Sequence, residues 1–144
     1  MSFSKDRSAG FLANHMARLF ARGLTARIKP LGLTTGNFPA LLELWENDGL
    51  TQKDLVQRLD IEQATMANTL ARMERDGLIR RAKDESDGRV QRIWLTDRAR
   101  KLEAPAIAAA KAENAEALAA LTEQERATFI AAMQKIIASH ADRA

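Results

Sequence analysis

The sequence contains no cysteine. Disulfides, thiolate zinc sites, a cysteine nucleophile and thiol redox sensing are thereby excluded. Histidine occurs only at His15 and His140, no carboxylate pair stands at a motif spacing, and there is no glycine-rich phosphate loop. Ser86 has no recognisable base partner. No catalytic residue, metal ligand or cofactor is therefore assigned, and an enzyme is not the expected function. No stretch approaches the roughly 18 uncharged apolar residues of a membrane span. The opening MSFSKDRSAGF lacks the apolar run of a signal peptide. The expectation is a cytoplasmic protein with no membrane partner. Internal repeats and long linkers are missing too, so the 144 residues are read as one domain.

The formal net charge is +3, with charged residues at 28% and apolar ones at 46%. That balance fits an ordinary globular chain and permits nucleic-acid binding without demanding it. The pattern along the chain is mainly helical. Residues 9 to 28 place Phe11, Leu12, His15, Met16, Leu19, Phe20, Gly23, Leu24 and Ile28 at helical spacing. On that apolar stripe His15 reads as a buried, hydrogen-bonded side chain. Lys29, Pro30 and Gly32 stop the helix. A second helix carries Phe38, Leu41, Leu42 and Trp45 on one face, with Pro39 in its first turn and NDG at 47 to 49 closing it.

Thr51 is an N-cap for a short helix ending at Leu59, with Asp54 in its first turn. The next helix runs from about Glu62 to Asp76, its apolar side made by Met66, Leu70 and Met73, and Gly77 takes the C′ position. LIRRA and VQRIWL then flank a polar turn with a glycine, the pattern of a β-hairpin. A long helix from Thr96 and Asp97 follows, with ten alanines between residues 102 and 121 and a thin stripe of Leu102, Ile107, Leu118 and Leu121. Pro105 is expected to kink or break it. TEQE at 122 to 125 is a capping box for a last helix bearing Phe129, Ile130, Met133, Ile136 and Ile137.

Two short helices joined by a tight turn and followed at once by a hairpin make a winged helix-turn-helix. With Met66, Leu70 and Met73 against the core, Gln63, Ala64, Thr65, Asn68 and Arg72 face solvent where a recognition helix meets base edges. Gln and Asn suit adenine, Thr suits thymine, and Arg72 suits a guanine or a phosphate. The hairpin adds Arg80, Arg81, Lys83, Arg89 and Arg92 against Asp84, Glu85 and Asp87. Such a mixture fits a rigid wing: the acids hold neighbouring arginines while Arg89, at the tip, enters a narrow minor groove. Arg92 is taken as a further DNA contact. Strand alternation turns Ile93 and Leu95 to the core and leaves Trp94 pointing away, over the stems of Arg80 or Arg92 or toward a partner.

LTQKDLVQRLDIEQATMANTLARMERDGLIRRAKDESDGRVQRIWLT resembles the MarR family, the multiple-antibiotic-resistance regulators. The match rests on LTQKDL, on TLARMERDGLI, and on a wing with Asp84, Asp87, Arg89, Arg92 and a closing LT at 95 to 96. Asp60, Glu62, Ala64 and Asn68 depart from the family's usual glycine, serine, proline and arginine. The resemblance implies one MarR-type domain over 1–144, with the winged helix-turn-helix at 33–96 and dimerisation helices at 8–30 and 97–142. It implies a homodimeric DNA-binding transcriptional regulator, most often a repressor, on a pseudo-palindromic operator in double-stranded DNA. It also implies release by a small aromatic or anionic effector, bound between the dimer helices and the winged part. Phe11, His15, Arg18, Phe38 and Trp45 are the candidates for that space. A winged-helix protein-interaction module without DNA binding is the alternative, and a helical-bundle enzyme a more distant one.

Overall fold

A computed structural model describes residues 2–141. Eight main elements follow in order: α1 (Ala9–Ile28), α2 (Phe38–Glu46), α3 (Gln52–Leu59), α4 (Gln63–Arg75), β1 (Ile79–Lys83), β2 (Gln91–Leu95), α5 (Asp97–Ala117) and α6 (Glu123–Ala141). The fold is mainly helical, with one antiparallel two-stranded hairpin registered Ile79 to Leu95 and Lys83 to Gln91. The expected C-terminal segment 97–142 ends on Asp142, which lies outside the described residues.

Local signals set most boundaries. Thr51 and Asp54 cap α3 reciprocally, each backbone N–H donating to the other's side chain at 3.1 and 3.0 Å. Asp60 takes φ 53°, a left-handed turn between α3 and α4 that a short polar side chain tolerates. Gly77, at φ 74°, follows the end of α4. Thr122 and Glu125 form the second capping box, at 2.9 and 3.1 Å. Helix α4 is one residue shorter at each end than expected, and Glu62 stands at its N-cap without a side-chain cap bond.

The core lies between α2, α3, α4, the hairpin and the first half of α5. Leu41, Leu44, Leu55, Met66, Leu70, Met73, Leu78 and Ile93 are fully buried in it. Burial of an aliphatic side chain of this size contributes about 1.5–3 kcal/mol, which makes this cluster the main source of stability for the lobe.

Four expectations about the flanking helices change. His15 is exposed, as are Phe11, Leu12 and Leu19, because among the described residues little beyond Lys5, over the Phe11 ring, covers that face of α1. In α6, Ile130, Met133, Ile136 and Ile137 are exposed at 43, 38, 57 and 66%. In α5 the fully buried apolar positions are Ala99 and Ala106; Leu102 and Ile107 are half-buried, as are Leu118 and Leu121, which lie beyond the end of the helix at Ala117. Small residues let α5 approach α1 closely. The helix also runs through Pro105 without a break. That residue is exposed, so its ring stands on the solvent side, and the alanines around it sustain the helix.

Candidate nucleic-acid interface

On α4, burial of Met66, Leu70 and Met73 decides the orientation of everything else. Gln63, Ala64, Thr65, Asn68 and Arg72 are all exposed. The C-terminal end of the helix is held from α5. Arg98 donates from Nη1 to the Asp76 carbonyl oxygen, a cation at the negative end of the α4 dipole. Thr96 Oγ1 donates to the Gly77 carbonyl oxygen at 2.7 Å.

The wing is built around Asp84. Its Oδ2 accepts from Ser86 N at 3.1 Å, Ser86 Oγ at 2.6 Å and Asp87 N at 3.0 Å, while Oδ1 accepts Arg92 Nε at 2.5 Å. Arg92 and Ser86 together hold the Asp84 carboxyl well below the usual carboxylate range. A carboxyl whose folded pKa is depressed contributes its stability above its unfolded value, and loses it as pH falls toward the folded one. The Arg92 Nε–H resonance is therefore expected to hold its position as pH is lowered to the ordinary carboxylate value of 3.8, and to move only in stronger acid. Movement centred at that ordinary value in an NMR titration would show that Asp84 does not brace the hairpin.

Arg92 also donates from Nη1 to the Gly49 carbonyl oxygen at 2.8 Å. Its guanidinium thus ties the wing to the turn between α2 and α3. The same turn meets β2 three more times. Gly49 N donates to the Ile93 carbonyl oxygen at 3.0 Å, Ile93 N to the Leu50 carbonyl oxygen at 2.8 Å, and Leu95 N to Asp48 Oδ1 at 2.9 Å. Arg100 of α5 braces Asp48 from the other side at 3.1 Å.

Trp94 finds its place here. Its ring lies on the bare Cα of Gly49, where a Cβ would come within 2.6 Å of the indole. The residue packs half-buried against this neighbouring turn, with Arg80 as its cross-strand partner.

Arg89 at the tip is different. Its side chain is 92% exposed and, among the described residues, pairs with Asp87 of the same turn alone, at 3.2 Å from Nε. That carboxylate, its pKa lowered by Arg89, fixes the arginine's base and leaves it outside the fold.

Gln63 and Arg89 line one cleft of about 660 Å³, together with Gln52, Lys53, Arg81 and Gln91. Gln52 and Lys53 of α3 were not singled out from the sequence. Their signal was the LTQKDL segment, which places both in the first turn of the preceding helix. Arg81 is partly neutralised by Glu74 at 3.5 Å. Ala64, Thr65, Asn68 and Arg72 continue along α4 outside the cleft lining.

The five effector candidates are not gathered. Phe38 and Trp45 meet edge to face at 6.0 Å in the lobe, and Trp45 Nε1 donates to the Ala99 carbonyl oxygen at 3.0 Å. Phe11, His15 and Arg18 stand on the exposed part of α1, with Lys5 5.7 Å over the Phe11 ring. A cavity of about 380 Å³ between α1, α2 and α5 includes Phe38 and none of the other four. Among the described residues no helix is long and apolar enough to cross a membrane.

The MarR family model matches residues 33–90. The HTH-type transcriptional regulator TtmR of Methylorubrum extorquens (strain PA1) is 35% identical over 69% of this chain, which spans about half, 51%, of that relative's length. The transcriptional regulator HosA of Escherichia coli O157:H7 is 31% identical over 73% of this chain and 78% of its own. Among solved structures, a MarR family regulator of Listeria monocytogenes complexed with 26mer DNA superposes with a TM-score of 0.86, at 26% identity, covering 95% of this chain and 91% of that one. The MarR family protein Rv2887 of Mycobacterium tuberculosis, in complex with salicylic acid, superposes with a TM-score of 0.72 at 29% identity, covering 91% and 97%.

Proposed function

The chain belongs to the MarR family of DNA-binding transcriptional regulators, and from that premise we propose that it acts as a cytoplasmic repressor, a homodimer on a pseudo-palindromic operator, with no catalytic role. The carrying observation is the shared cleft that puts Gln63 at the start of α4 beside Arg89 at the tip of the wing. A helix in the major groove and an arginine in the neighbouring minor groove need that proximity. Gln63, Thr65 and Asn68 read base edges, Ala64 leaves room for close approach, and Arg72 and Lys53 hold phosphates. Arg92, already committed to Asp84 and Gly49, acts by bracing the wing.

We assign residues 33–96 to the DNA-binding lobe and the flanking helices to the dimer. Support for the dimer comes from Phe11, Leu12 and Leu19 on α1 and Ile136 and Ile137 on α6, apolar faces that this chain leaves in water. In sedimentation the protein is expected to run as a dimer at micromolar concentration, and Ile136→Glu with Ile137→Glu as a monomer. A wild-type monomer would remove the two-half-site model. A small aromatic effector, acting where the flanking helices meet the lobe, then shifts the population away from the DNA-competent spacing.

Selection from a random duplex library tests the reading as a whole. The expected product is an inverted repeat with half-sites about one helical turn apart. Recovery of no enriched sequence would favour a winged-helix protein-interaction module instead.

A further inference from the structure

Two cavities lie along the flanking helices and share Phe20 and Glu113. The smaller, of about 380 Å³, is walled by Phe20, Leu24, Phe38 and Leu42, with Thr35, Glu113 and Asn114 as polar points. The larger, of about 940 Å³, reaches from α1 and α5 to α6. Every ionisable side chain in the two linings is a glutamate: Glu113 in both, and Glu116 and Glu125 in the larger. In a chain with 22 basic and 19 acidic residues, that one-sided lining sets what the space can hold.

Glu113 is 9% exposed. Its carboxyl lies against Gly23 of α1, where a Cβ would stand 2.3 Å from either oxygen. Oε1 accepts Arg27 Nε at 3.1 Å, while among the described residues nothing donates to Oε2. None of the described buried polar atoms is both sealed and unpaired, so the Glu113 carboxyl keeps some accessible surface, and its side chain lines both cavities. Arg27 is shared with Glu116. One guanidinium between two carboxylates leaves the group one formal negative charge.

We propose that the smaller cavity binds a small aryl-alkyl ammonium ion, with the Glu113 carboxylate as its counter-ion and Phe20 and Phe38 beside the cation. This rests on the reading of the chain as a ligand-responsive regulator. An aromatic carboxylate in the same place would bury its charge next to Glu113, with only the neutral side chains of Thr35 and Asn114 in the lining to donate to it. An ammonium ion instead gains a carboxylate and two aromatic rings. The volume suits a ligand of one or two rings.

Phenethylammonium and phenylacetate share a ring and differ in charge, so calorimetric titration of each into the full chain isolates the claim. Phenethylammonium is expected to bind saturably and roughly tenfold or more tighter than phenylacetate. Glu113→Gln is expected to weaken it by a similar factor and Arg27→Gln to strengthen it, opposite shifts that a folding defect does not produce. Equal or tighter binding of phenylacetate, no binding of either, or no change in Glu113→Gln would overturn the proposal. Addition of phenethylammonium to the protein–duplex complex reads the effector role separately. Binding without release would keep the charge selectivity and overturn ligand control of DNA binding.

Discussion

Gly49→Val is expected to lower stability by about 3 kcal/mol and to remove most duplex binding. Gly49 sits at φ 81°, a left-handed backbone that a β-branched residue adopts poorly. Its substituent would also enter the Trp94 ring, with Cη2 at 2.6 Å and Cζ2 and Cζ3 at 2.9 Å from the Cβ. The turn cannot simply move aside. Its N–H bonds the Ile93 carbonyl and its own carbonyl holds Arg92, so displacement frees β2 as well. The melting temperature is expected to fall by about 10 °C. In a Trp94→Leu background part of that penalty should disappear, since the clash goes while the backbone strain stays. A Gly49→Val protein that melts like the wild type would show that the ring does not anchor the wing.

Arg89→Ala should behave in the opposite way. Among the described residues its side chain pairs with Asp87 alone and is almost wholly in water, so the melt is expected to stay nearly unchanged. Duplex affinity is expected to fall roughly thirtyfold or more, because a dimer loses the contact at both wings and each good groove contact is worth about 1–3 kcal/mol. Arg89→Lys, which keeps the charge but loses the planar fork, should fall between. Wild-type affinity in Arg89→Ala would take this residue out of the interface. The two variants separate a wing that must be held from a wing that must reach.

Much of this was legible in the sequence because it is written locally. Thr51 with Asp54, Asp60, Gly77 and the TEQE box mark helix ends within a few residues of themselves. Met66, Leu70 and Met73 orient α4 by spacing alone, which leaves Gln63, Thr65 and Asn68 outward. What was not legible depends on partners far along the chain. Trp94 could not be placed until Gly49 stood beneath it, and Arg92 read as a further DNA contact without its bonds to Asp84 and Gly49 in view. His15 was misplaced for another reason: apolar periodicity marks a face that wants covering without saying which chain covers it. The same ambiguity hides Ile136 and Ile137. The notch at Gly23 that admits Glu113 joins two helices with most of the sequence between them.

The central claim is that α4 and the wing grip duplex DNA together, largely through cations. Titration of a library-selected duplex with wild-type protein and with Arg89→Ala, over a series of salt concentrations, tests it most directly. Wild-type affinity is expected to fall linearly on a log–log plot, with a slope of about 0.9 for each phosphate neutralised, and the variant to bind more weakly. Absence of salt-sensitive duplex binding by the wild-type protein at low ionic strength would contradict it.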